Sequence, residues 1–168
     1  TADVVISSGG VSVGDYDYVD EILAQLGAEI HVRAVAVKPG KPLTVARFPN
    51  AQRPVLYFGL PGNPVSSLVS FWRFVQPAVR KLAGLADGWE PKFVQARSHH
   101  DLRSDGKRES YLWGKMNLVN GTYEFHLAGG SHSSGNLINL AQTNGLAVLP
   151  AGQTFIASGE PVQVLPIG

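Results

Sequence analysis

Three glycine- and proline-rich bends, each entered from a short apolar run, constrain the front of the chain more than any other feature. Val4-Val5-Ile6 runs into Ser7-Ser8-Gly9-Gly10-Val11-Ser12-Val13-Gly14-Asp15-Tyr16-Asp17. Ile30, Val32, Val35 and Val37 run into Lys38-Pro39-Gly40-Lys41-Pro42, and Val55 to Phe58 runs into Gly59-Leu60-Pro61-Gly62-Asn63-Pro64. β-Branched and aromatic residues suit strands, whereas Gly frees φ and Pro removes a donor, so each run is predicted to be a strand that stops at its bend, the second one at Lys38. Leu43 to Phe48 reads as a further strand. Between these strands, Val19, Ile22, Leu23 and Leu26 form one apolar helical stripe, with Asp17 placed to cap it and Gly27 just beyond its end. A second helix is predicted after Asn63, a good N-cap, with Pro64 at the first helical position. Val65, Leu68, Val69, Trp72, Val75, Val79 and Leu82 carry its apolar face to near Gly84, and Pro77 is expected to bend it. Strand, helix, strand, strand, helix is an α/β unit.

The pattern changes after Gly84-Leu85-Ala86-Asp87-Gly88-Trp89-Glu90-Pro91, which has the composition of a linker. Phe93 to Ser98, Tyr111 to Val119, Tyr123 to Leu127, Leu146 to Leu149 and Val162 to Ile167 are short strand candidates. Asn120-Gly121 is a plausible two-residue hairpin loop. No helical stripe of three turns follows, so residues 87–168 are expected to form a small all-β domain, barrel-like or a sandwich, after an α/β domain over residues 1–86. The abundance of turns, with 19 glycines and 11 prolines, agrees with short elements, and a hydrophobic content of 44% suffices for packed cores. Because Thr1-Ala2-Asp3 leads straight into a strand, the chain is expected to be a piece of something longer.

Composition narrows the chemistry. A net charge of +1 offers no broad basic surface for nucleic acid or anionic lipid. The absence of cysteine removes thiolate metal sites and thiol nucleophiles. No apolar run approaches the ~18 residues of a membrane span, which makes the cytoplasm the expected compartment. What remains is anion chemistry at the bends. The Ser/Gly loop, between a strand and a helix start, gathers backbone N–H groups and the positive end of a helix dipole, although a tight turn without ligand would look the same. Asp15 and Asp17 beside such a cradle make sense if a divalent cation bridges protein and phosphate; otherwise they cap the helix. Lys38 and Lys41 on one proline-stiffened loop could hold an oxyanion, or could simply be solvated. Pro61 to Ser67 again offers helix-start N–H groups and hydroxyls where a strand ends, the place where open α/β sheets bind ligands. The five histidines show no ligand spacing, so no metal site is expected from them, and Trp72, Trp89 and Trp113 read as core or interface anchors.

These three motifs, in this order and spacing, resemble those of the molybdopterin molybdotransferase family, which includes MoeA and the gephyrin E domain. Gly129-Gly130-Ser131-His132 and Asn144-Gly145-Leu146-Ala147-Val148-Leu149-Pro150 are similar to that family's last domain. The resemblance implies the later half of a three-layer molybdopterin-binding α/β domain followed by an all-β barrel-like C-terminal domain. It further implies molybdenum cofactor biosynthesis: insertion of molybdate into adenylylated molybdopterin with release of AMP, assisted by Mg2+, in a homodimer. On this basis Asp17, Lys38 and Lys41 are expected to be catalytic, and Asp17 and Asp15 to face the metal. Ser8, Gly9, Gly10, Ser12, Gly14, Pro61, Gly62, Asn63, Pro64, Ser66 and Ser131 are expected to bind the pterin nucleotide. Two positions depart from the family pattern: Ala34 stands where a basic residue is usual, with Arg33 beside it, and Trp113 stands where an Arg is expected. Two alternatives are a scaffold module with an impaired pocket and a molybdopterin adenylyltransferase; the attached β domain and the Lys38-Pro39-Gly40-Lys41-Pro42 motif argue against the latter.

Overall fold

The computed structural model describes residues 2–10, 18–49, 53–129 and 140–167. They divide into two compact units, one from residues 1–36 and 40–84 and one from residues 37–39 and 85–168.

The first unit is a mixed sheet between helices. Strands β1 (Val4–Ser8), β2 (Glu29–Ala34), β4 (Pro42–Phe48) and β5 (Val55–Leu60) lie in the order β1-β5-β4-β2. β1 runs parallel to β5, with Val4 opposite Leu56 and Ser8 opposite Leu60, while β4 is antiparallel to both β5 and β2. Alternate side chains of a strand serve opposite faces, and both faces here are covered. Leu43, Phe58 and Leu60 pack with Val75 of the long helical segment, and Ala46 and Tyr57 pack with Leu23 of helix α1 (Tyr18–Gln25). The result is three layers.

Three sequence expectations change in detail. The strand expected to reach Lys38 stops at Ala34, and Val37–Lys38 forms a separate strand, β3, that belongs to the second unit. Of the stripe predicted for α1, only Leu23 is buried, while Ile22 and Leu26 are 52% and 66% exposed. Pro77 is accommodated by a wider turn: α2 (Pro64–Ser70) continues through a π-helical turn at Phe71–Val75 into α3 (Gln76–Leu82). The Gln76 N–H reaches the Phe71 carbonyl, five residues back, and Pro77 follows directly at the start of α3.

The second unit is a closed five-strand barrel. Strands β6 (Val94–Ser98), β8 (Glu109–Val119), β9 (Thr122–Leu127), β10 (Gly145–Leu149) and β12 (Pro161–Pro166) pair in the circuit β6-β12-β10-β8-β9-β6, in which only β6 and β9 are parallel. Closure removes the free sheet edges that an open five-strand sheet would leave. β3 adds a two-residue parallel pairing at the start of β8, and β7 (Leu102–Arg103) with β11 (Phe155–Ile156) makes a small ribbon too short to be legible in sequence. Phe125, Leu102, Ala147, Leu149, Ile156, Val162 and Val164 fill the interior. Trp113 is fully buried as well, but it shares with Tyr111 and Leu146 the opposite face of β8 and β10, so the Trp at position 113 is a packing residue on the outside of the barrel wall. At Gly114 a Cβ would fall 2.3 Å from the His126 carbonyl oxygen and 2.5 Å from the Phe125 ring, so only glycine lets β8 pass this close to β9. The β8–β9 hairpin turns on Asn120 and Gly121, both at positive φ, as an Asn-Gly pair favours. Among the described residues no helix is long and apolar enough to cross a membrane.

Candidate functional site

In the first unit, strand direction alone decides which bends meet. β1 and β5 are parallel, so the chain leaves both at the same edge of the sheet. β4 is antiparallel to β5 with Thr44 opposite Gly59, so its entry at Lys41-Pro42 lies at that edge too. Ser8-Gly9-Gly10, Gly40-Lys41-Pro42 and Pro61-Gly62-Asn63 therefore converge where open α/β sheets receive ligands.

Short polar bonds hold this edge together. The Ser8 hydroxyl donates to the Pro61 carbonyl at 3.1 Å and lies 3.3 Å from the Ser67 hydroxyl, which also donates to the Pro61 carbonyl. The Gly9 N–H donates to the Leu60 carbonyl at 3.0 Å, and Gly9 and Gly10 both take positive φ. A Cβ on Gly62 would sit 3.4 Å from the Gly9 Cα, so the two bends touch backbone to backbone. Ser8, Gly10, Lys41, Gly62 and Pro64 are exposed.

The start of α2 does not behave as the sequence reading expects. Asn63 Oδ1 accepts from the Val65 and Ser66 N–H groups at 3.1 and 3.2 Å, the Asn63 carbonyl accepts from the Ser67 N–H at 2.9 Å, and Pro64 has no N–H to offer. The helix caps itself, and its first donors are already used. Buried Ser66 points its hydroxyl to Asn63 Oδ1 at 3.4 Å. Asn63, Pro64 and Ser66 thus serve the helix start itself, and the Ser8 and Ser67 hydroxyls meet over the Pro61 carbonyl at the same end of the sheet.

Lys38 and Lys41 separate. Lys41 goes with the sheet, its carbonyl accepting from the Val35 N–H at 2.9 Å. Lys38 goes with the barrel, where its Nζ donates to Asp105 Oδ2 at 2.9 Å. Asp105 also accepts from the Lys107 N–H at 3.0 Å. The Lys38 hydrogen bond, then that backbone bond, hold the Asp105 carboxyl below the ordinary carboxylate range. Arg108 ties the same corner by donating to the Val37 carbonyl at 3.0 Å. Arg33, beside Ala34, turns to Asp20 of α1 at 2.7 Å. Ser12, Gly14, Asp15, Asp17 and Ser131 lie outside the described residues.

Sequence reading missed Asp105, 67 positions from Lys38, because nothing local links them. Nor did sequence spacing bring the histidines together, yet His99, Glu124 and His126 gather into one group on the barrel. A strand period of two would have placed Glu124 and His126 on one face, but only the register of β6 against β9 adds His99.

Comparison with known proteins agrees with both units. The family described as "Probable molybdopterin binding domain" matches residues 1–81, and "MoeA C-terminal region (domain IV)" matches residues 95–167. A molybdopterin molybdenumtransferase of Nostoc sp. is 71% identical over 166 residues, covering 99% of this chain and 38% of the relative, and one of Haemophilus influenzae is 34% identical, covering 98% of this chain and 40% of that protein. The crystal structure of the molybdopterin biosynthesis MoeA protein from Pyrococcus horikosii superposes with a TM-score of 0.72 at 27% identity, over 98% of this chain and 37% of the other. The chain therefore spans about two fifths of the length of the curated relatives it matches. Two domains in the family's order, on the fold of a MoeA crystal structure, place this chain in the molybdopterin molybdenumtransferase family.

Proposed function

We propose that this chain is the C-terminal portion of a molybdenum-inserting transferase that acts on adenylylated molybdopterin and molybdate and releases AMP. The observation that carries the reading is the meeting of three bends at one edge of the sheet, in the unit that matches a molybdopterin-binding domain. Ser8, Gly9 and Gly10 would receive the phosphate end of the pterin nucleotide, with Ser12, Gly14 and, from the barrel domain, Ser131 extending the contact. Pro61, Gly62, Asn63, Pro64 and Ser66 would form the wall against which it rests.

Within this reading Lys41 neutralises oxyanion charge at the sheet edge. Lys38 does so after exchanging its Asp105 carboxylate partner for substrate. Such an exchange costs little at an exposed pair, because water already screens it. The Ser8 and Ser67 hydroxyls and the Pro61 carbonyl at the edge are hard oxygen donors of the kind that suits Mg2+, and Asp17 with Asp15 would hold the ion. When bound it supplies positive charge beside the phosphate. Partners in this reading are the two small-molecule substrates and a second copy of the full-length protein, in the cytoplasm, with neither nucleic acid nor membrane involved. The domain boundary is proposed between residues 86 and 87.

The test is turnover of the full-length protein carrying Lys41→Ala. Molybdate-dependent AMP release should fall at least tenfold while the melting temperature holds. Unchanged turnover removes Lys41 from the site, and an equal loss of thermal stability makes it structural.

A further inference from the structure

His99, Glu124 and His126 occupy the outer face of the barrel at the one parallel seam in its circuit. In that seam Arg97 lies opposite Glu124 and Ser98 opposite Phe125. The His99 N–H donates to the Phe125 carbonyl at 2.9 Å, carrying the pairing one residue past the end of β6 and bringing His99 level with His126. Phe125 is fully buried, so its neighbours Glu124 and His126 face outward together. Both imidazoles then aim at one oxygen. His99 Nε2 is 3.1 Å and His126 Nε2 3.8 Å from Glu124 Oε2, and the three ligand atoms all lie within 4.8 Å of one another. The two rings are stacked, centroids 4.2 Å apart with planes at 19°, so one of them must turn out of the stack before both ring nitrogens can point at a single ion.

We propose that these three residues form a binding site for a divalent transition metal of the borderline class, Zn2+ foremost. Two imidazoles and a carboxylate are a standard donor set for such ions, whereas Mg2+ and Ca2+ take oxygen ligands. Tetrahedral Zn2+ with bonds of about 2.0–2.1 Å sets neighbouring ligand atoms about 3.3 Å apart, which lies between the two imidazole distances to Glu124. Rotation of one half-exposed ring out of the stack completes the geometry, and three protein ligands leave a fourth position for water. Arg97 and Lys115 stand at register positions beside Glu124 and His126 on the same face. Their charge opposes any loosely held cation, so the site selects ions that bond strongly to nitrogen.

The experiment titrates the untagged, chelator-treated full chain with Co2+, whose visible absorption reports tetrahedral nitrogen and oxygen ligation, and then displaces it with Zn2+. One equivalent should bind and be displaced by Zn2+ but not by an equal concentration of Mg2+. Glu124→Gln, His99→Ala and His126→Ala should each weaken binding at least tenfold, while His31→Ala leaves it unchanged. Glu124→Gln preserves shape, and circular dichroism of each variant establishes that it is folded. Zn2+ should also raise the melting temperature of the parent and not of the double variant His99→Ala/His126→Ala. Absence of Co2+ uptake, equal displacement by Mg2+, or uptake unaltered in all three folded variants would overturn the proposal.

Discussion

The sheet unit and the barrel unit solve the same problem of burial in opposite ways. In the barrel, each of the five strands has a partner on both sides, and Phe125, Leu149 and Val164 inside it are 0% exposed. In the sheet, the two faces are buried separately, Phe58 and Leu60 with Val75 on one and Ala46 and Tyr57 with Leu23 on the other. Their polar features differ in the same sense. The barrel presents side chains brought together by strand register, such as the stacked histidines, and a strand-to-loop pair, Lys38 with Asp105. The sheet presents bends, whose geometry comes from glycine φ angles and backbone carbonyls. The lesson is a division of labour: closure gives the barrel a core shared by all its strands, and strand direction in the sheet brings three bends together at one end.

The largest expected effect separates the two cores. Phe125→Ala should cost about 3–5 kcal/mol in urea unfolding, whereas Leu26→Ala, on the exposed flank of α1, should stay within about 0.5 kcal/mol. Similar costs would erase the contrast. A middle-sized effect concerns the sheet edge itself. Asn63→Ala uncaps α2 and should cost about 1 kcal/mol, and Asn63→Ser should recover most of it. A cost near zero would mean the N–H groups of Val65 and Ser66 are equally well served by water. The smallest effect is the pH response of the Lys38–Asp105 pair. Because the folded Asp105 carboxyl sits below its ordinary value, its contribution is present above the ordinary carboxylate range and is lost as pH falls through the lowered folded value. The stability difference between the parent and Asp105→Asn should therefore be small at neutral pH and vanish in acid. A difference that grows in acid contradicts the assigned sign.

Much of the architecture was legible because it rests on local pattern. The β-branched runs, the Asn63-Pro64 helix start, the Asn120-Gly121 turn and the change of character after Gly84 all mark elements that the structure contains. The split of the second strand was not legible, since Val35 and Val37 carry the same β-forming signal whether they pair with β4 or leave for the barrel. Ile22 and Leu26 kept a helical spacing without burial, because spacing shows which face a residue shares and not what covers it. At the site, the motifs located the bends, but the self-capping of α2 and the Asp105 partner of Lys38 depend on side-chain geometry and on contacts far apart in the chain.

The central claim is that the sheet edge where β1 and β5 end and β4 begins is the place that grips the oxyanion. Anomalous diffraction from a crystal of the full-length protein soaked in tungstate, a heavy stand-in for molybdate, tests it directly. The account expects the tungsten peak within contact distance of Lys41 and the Ser8-Gly9-Gly10 bend. A peak confined to the barrel surface, or to any face away from that edge, would contradict it.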